Sequence, residues 1–136
     1  MKAAVRFYTR SGNTEKLANA IAEAIGVQAE KVSVALPEKT DVLFLGCSYY
    51  AFDVDEAVKS FIQENRENIG KIVCFGTSAM MKSTHKPMKK VADEAGVVLS
   101  AEEFHCRGAF GPMHKGRPDD NDLKQAADFA KGMVSR

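Results

Sequence analysis

The chain has 136 residues, with 19 Lys and Arg set against 18 Asp and Glu, and 45% of its residues are hydrophobic. That length suits one domain, 1–136, built on one core. A net charge of +1 without aromatic-interleaved basic tracts gives no basis for nucleic-acid binding, and no apolar run approaches the length of a membrane span.

Strand and helix signals alternate along the chain. Ala3 to Tyr8 is an apolar run, broken by Arg6, that reads as a buried strand and not as a signal peptide, so a cytoplasmic protein is expected. Leu17, Ala18, Ile21, Ala22 and Ile25 then fall on one helical face. A shorter, weaker strand is expected around Glu30 to Ala35, ended by Pro37. Asp41 to Gly46 is a continuous apolar run, the mark of a central parallel strand buried on both faces. Ala57, Val58, Phe61 and Ile62 supply the next helical stripe, and Lys71 to Gly76 repeats the buried-strand signature. Pro87 to Ala95 is helical, with Met88, Val91, Ala92 and Ala95 inward and Gly96 closing it. Val97 to Cys106 reads as a fifth strand. The last helix begins after Pro118, capped by Asp119 or Asp120, and buries Leu123, Ala126, Ala127, Ala130 and Met133 or Val134. Strands joined by helical crossovers predict an α/β fold, a three-layer α/β/α sandwich around a five-stranded parallel sheet of order 2-1-3-4-5. In such a sheet, ligands sit at the carboxyl ends of the strands where the order reverses. The segments Thr9–Thr14, Cys47–Asp55 and Thr77–His85 converge there.

Cysteine and histidine add little chemistry. Cys47, Cys74 and Cys106 have neither paired nor zinc-type spacing and read as buried thiols, with a redox role for Cys47 or Cys106 left open. His85, His105 and His114 lack metal-ligand spacing. The basic run Lys82, His85, Lys86, Lys89 and Lys90 reads as a solvated helix face.

The most telling segment joins the first strand to the first helix. Thr9-Arg10-Ser11-Gly12-Asn13-Thr14 holds hydroxyls, a glycine and an asparagine, with no carboxylate before Glu15. A tight turn of this composition at the positive end of a helix dipole is a seat for phosphate. The plainer alternative is an ordinary strand-to-helix turn with Asn13 or Thr14 as N-cap. One glycine and no lysine rule out a Walker loop, and the dinucleotide fingerprint is absent. The turn closely resembles the first loop of the flavodoxin family, hydroxyl-x-Ser/Thr-Gly-Asn-Thr, at every defining position. The resemblance implies the flavodoxin-like form of the fold. It also implies that Thr9, Arg10, Ser11, Gly12, Asn13 and Thr14 bind the 5′-phosphate of flavin mononucleotide (FMN).

Two further segments support that likeness. Cys47-Ser48-Tyr49-Tyr50-Ala51-Phe52-Asp53 is unusually aromatic for a surface connection, and a planar ligand would give its rings a partner surface. In the family this segment flanks the isoalloxazine ring, which places Ser48, Tyr49, Tyr50, Ala51 and Phe52 beside it. Gly76, Thr77, Ser78 and Met80 match the segment that meets the pyrimidine edge and the other ring face. The run Phe104 to Phe110, then Lys115 to Pro118 and an Ala-rich last helix, resembles the final third of small bacterial flavodoxin-like proteins. The chain departs from the family in three respects: it is not acidic, it has no Trp, and it has no glycine between Cys47 and Asp55. A less acidic surround is expected to disfavour anionic reduced flavin less and so raise the reduction potential. A missing glycine is expected to weaken stabilisation of one-electron-reduced flavin.

The reading that follows is an FMN-binding electron-transfer protein working between redox partner proteins, with no residue acting as a catalyst. The alternative is an FMN-dependent reductase of a quinone or other small acceptor, and a flavin-free interaction module is the third class. A phosphoacceptor domain is excluded because Thr9-Arg10-Ser11 and Gly46-Cys47-Ser48 stand where its carboxylates belong, and a cysteine phosphatase because the first loop has no cysteine.

Overall fold

Five segments pair into one parallel sheet in the computed structural model, which describes residues 2–8, 12–48, 55–77, 85–106 and 118–135. The strands are β1 (Ala3–Tyr8), β2 (Ala29–Lys31), β3 (Val42–Ser48), β4 (Ile72–Thr77) and β5 (Leu99–Cys106). Between and after them come α1 (Asn13–Ile25), α2 (Glu56–Asn65), α3 (His85–Ala95) and α4 (Asp120–Val134). The strand order is β2-β1-β3-β4-β5, as the alternation of elements predicts.

Helices cover both faces, which is why β3 and β4 are apolar without interruption. One face buries Val5, Phe7, Phe44, Val73 and Phe75 under α1 and α4, whose Leu17, Ile21, Ala126, Ala130 and Met133 complete that core. The opposite face buries Leu43, Leu45, Ile72 and Cys74 under Val58, Phe61 and Ile62 of α2 and Met88, Val91 and Ala95 of α3. Side chains alternate across a strand, so each central strand feeds both cores. Cys74 is buried, as expected.

Several boundaries differ from expectation, among them those of β2, α3 and β5. β2 is only Ala29–Lys31, not Glu30 to Ala35: it pairs with Val5, Arg6 and Phe7, and the chain then turns, with the Val34 N–H donating to the Lys31 carbonyl. Val32 and Val34 have strand propensity, but the carbonyls beyond them are taken by Arg6. Its Nε donates to Val34 O (2.9 Å) and its Nη2 to Ala35 O (3.3 Å). Leu36 is then pinned from α2's side: its N–H donates to Asn65 Oδ1 and its carbonyl accepts from Asn68 Nδ2. The result is a strap over the sheet edge in place of a strand. α3 starts at His85, earlier than Pro87, because proline fits the first turn, where no intrahelical donor is needed. β5 starts at Leu99, two residues later than Val97. In α3, Lys89 and Lys90 are exposed and Lys89 Nζ pairs with Asp93 Oδ1 at 2.6 Å, consistent with a solvated face; Lys82 lies outside the described residues.

The last helix starts on a capping box. Asp119 Oδ1 accepts from the Asp122 N–H (2.9 Å) and Asp122 Oδ2 accepts from the Asp119 N–H (2.8 Å), which selects Asp119 as the cap over Asp120. Asp119→Ala is expected to lower stability by about 1 kcal/mol in a urea titration, and Asp119→Ser to recover most of that loss. An unchanged midpoint for the alanine variant would show that packing alone fixes the start of α4.

Candidate functional site

Strand order reverses between β1 and β3, so the crevice that such sheets use for ligands opens at their carboxyl ends. Tyr8 is in register with Cys47 and Cys47 with Gly76; one residue on, Ser48 is in register with Thr77 and Thr77 with Cys106. The expected site residues Ser48, Gly76 and Thr77 therefore lie side by side along the carboxyl edge of the sheet. Thr9, Arg10, Ser11, Tyr49, Tyr50, Ala51, Phe52, Ser78 and Met80 lie outside the described residues.

Gly12, Asn13 and Thr14 form the entry to α1. Gly12 is the N-cap, with φ +87° and ψ −6°, so the expected alternative of Asn13 or Thr14 as cap is corrected. Both sit inside the first turn and are buried, Thr14 wholly and Asn13 to 8% exposure. A left-handed cap suits glycine because any Cβ there strains the backbone. It also places no side chain over the first-turn amides, so the helix start depends on other partners for its N–H groups. Glu15, the acidic residue of that turn, is exposed. These features fit an anion at the positive end of α1.

Gly46 carries no chemical signal in the sequence and emerges only from the register. Phe7, Gly46, Phe75 and Phe104 form one row across β1, β3, β4 and β5. A Cβ on Gly46 would fall on the Phe75 ring and lie 2.9 Å from Thr14 Cγ2. The glycine thus leaves a gap in a row of phenylalanines, and the Phe75 ring and the Thr14 methyl close in on it.

A separate cavity of about 410 Å³ opens on the α2 face, between the end of β1 and the strap, lined by Tyr8, Val32, Ala57, Phe61 and Glu64. Its walls are the end of β1, the residues that follow β2 and one side of α2. Among the described residues there is no cluster of His, Cys, Asp and Glu with metal-binding geometry, and no helix is long and apolar enough to cross a membrane.

No family model matches the chain. An uncharacterized protein of Methanocaldococcus jannaschii is 27% identical over 90% of this chain and 90% of its own. Among solved structures, a flavodoxin from the domain Archaea superposes with a TM-score of 0.77 at 19% identity, covering 99% of this chain and 97% of that one. The fold is that of the flavodoxins. Oxidised flavodoxin 2 from Bacillus cereus shares it at a TM-score of 0.69 and 19% identity, with 99% of each chain covered. The flavodoxin-like architecture therefore extends over essentially the whole chain.

Proposed function

We propose that the chain binds FMN and carries electrons between redox partner proteins. The observation that carries this reading is the entry to α1: a glycine cap at positive φ, followed by buried Asn13 and Thr14, inside a segment that matches the flavodoxin phosphate loop. Thr9, Arg10, Ser11, Gly12, Asn13 and Thr14 would hold the phosphate. Ser48, Tyr49, Tyr50, Ala51 and Phe52 would flank one side of the ring, with Gly76, Thr77, Ser78 and Met80 on the other. Bound flavin supplies the redox chemistry. The protein's part is to anchor the phosphate, orient the ring at the carboxyl edge and leave that edge open to a partner. Ser48 and Thr77, adjacent in register at the strand ends, place backbone groups where a ring edge would meet them.

Titration of the apo-protein with FMN and with riboflavin, read by quenching of flavin fluorescence, tests the proposal. FMN is expected to bind at least roughly a hundredfold more tightly, since two charge-assisted hydrogen bonds contribute about 1.5–3 kcal/mol each. Equal affinities would remove the phosphate seat, and no binding of either would remove the cofactor. Gly12→Ala is expected to weaken FMN binding about tenfold, from a left-handed strain of about 1–2 kcal/mol. An added Cβ there meets nothing within 4 Å, so the effect isolates backbone conformation.

A further inference from the structure

We infer that Gly46 is a positioning residue for the phosphate seat, its absent side chain letting the Phe75 ring and the Thr14 methyl meet over β3 and so fixing how deep the first turn of α1 lies. The inference rests on the FMN reading above and adds a residue on β3, the strand beside the one that leads into the motif loop.

The argument begins with what a side chain at 46 would displace. Both the Phe75 ring and Thr14 Cγ2 crowd the point where its Cβ would sit, and both residues are fully buried. The ring has little room to retreat. It lies in the same row as Phe104, whose own ring is backed by Phe129 of α4 at a centroid distance of 6.0 Å. Close-packed interiors transmit strain, so an added Cβ must displace one of its neighbours. Farther along α1, Leu17, Ala18 and Ile21 are fully buried in the same core, which anchors the body of the helix. Thr14 Cγ2 is the other atom that an added Cβ would meet, so the displacement passes to the first turn of α1, and Gly12 and Asn13 move with Thr14. Gly46 stands two residues before the end of β3, so this adjustment lies next to the carboxyl edge where the ligand would sit.

Gly46→Ala is therefore expected to weaken FMN binding by about ten- to a hundredfold, because sub-ångström to one-ångström displacement of a positioned group costs that much. Riboflavin, which lacks the phosphate, is expected to bind as it does to the wild type, within about twofold. Adding Phe75→Leu, which removes the ring atoms in the way, is expected to restore FMN affinity. Equal losses for FMN and riboflavin, unaltered FMN binding, or failure of the double variant to rescue would each overturn the inference. Should Gly46→Ala not fold, Thr14→Ser tests the same contact from the other side: it removes the methyl and keeps the hydroxyl. A fall of about fivefold for FMN alone is expected there, and unchanged affinity overturns the inference. If the wild type itself fails to distinguish FMN from riboflavin, the phosphate reading fails first, and Gly46 has nothing to position.

Discussion

Arg6→Met is expected to lower the unfolding free energy by about 3 kcal/mol. Arg6 sits in β1 between two core residues, Val5 and Phe7, and is only 6% exposed. Its guanidinium donates to three carbonyls, Val34 and Ala35 of the strap and Val5 of its own strand, the last from Nη1 at 3.0 Å. Met fills similar volume but leaves the two strap carbonyls without their charged donor. Hydrogen bonds to charged groups contribute about 1.5–3 kcal/mol each, and water reaching the strap would recover part of that. Burial pushes the Arg6 pKa below its ordinary value, and Glu30, its register partner on β2, pulls it back up. A base with a lowered folded pKa is disfavoured in its charged form at every pH below that pKa. The penalty is relieved only in strongly alkaline solution, so Arg6 adds no slope to stability near neutrality. Arg6→Lys is expected to lose about half as much as Met, since an ammonium is a point charge that cannot bridge Val34 and Ala35 as a planar fork does. Urea titration gives the order wild type, Lys, Met. Amide exchange at Val34 and Leu36 should quicken in the same order. A Met variant within about 0.5 kcal/mol of wild type would mean that Leu36 and Asn65 hold the strap unaided.

Arg6 also shows where sequence and structure part company. The central strands were legible because a parallel sheet covered on both faces needs continuous apolar runs, and Asp41 to Gly46 and Lys71 to Gly76 are such runs. The helices were legible from their spacing, and the buried stripes of α1, α2 and α4 fall on Leu17, Phe61 and Ala126 as expected. The strap at 32–36 was not, because Val32 and Val34 favour extended structure locally while their fate depends on a guanidinium from β1, about 28 residues earlier in the chain. The same holds at the site. The motif proposed as a phosphate seat is contiguous, so composition alone marks it. Gly46 is invisible until the register sets it between Phe7 and Phe75 and α1 lays Thr14 across it. A glycine inside an apolar run signals close backbone approach, but not what approaches.

Thr14→Val is expected to weaken FMN binding about ten- to a hundredfold, because it separates the two things Thr14 does. Its methyl packs toward Gly46 and belongs to the core beneath α1; valine keeps that methyl and the β-branched shape. Its hydroxyl stands in the first turn of a helix whose cap, Gly12, has no side chain. If that hydroxyl donates to phosphate, its loss removes one charge-assisted hydrogen bond, about 1.5–3 kcal/mol, and leaves riboflavin binding untouched. The effect should be present at every salt concentration, whereas loss of the Arg10 charge should shrink as salt screens it. The comparison with Thr14→Ser closes the argument, since serine keeps the hydroxyl and gives up the methyl. A large loss in valine with a small loss in serine assigns the chemistry to the oxygen and the depth of the seat to the carbon. The reverse order would make Thr14 a packing residue and move the phosphate contacts onto Thr9 and Ser11. Equal FMN affinities in all three proteins would leave the entry to α1 as an ordinary helix start.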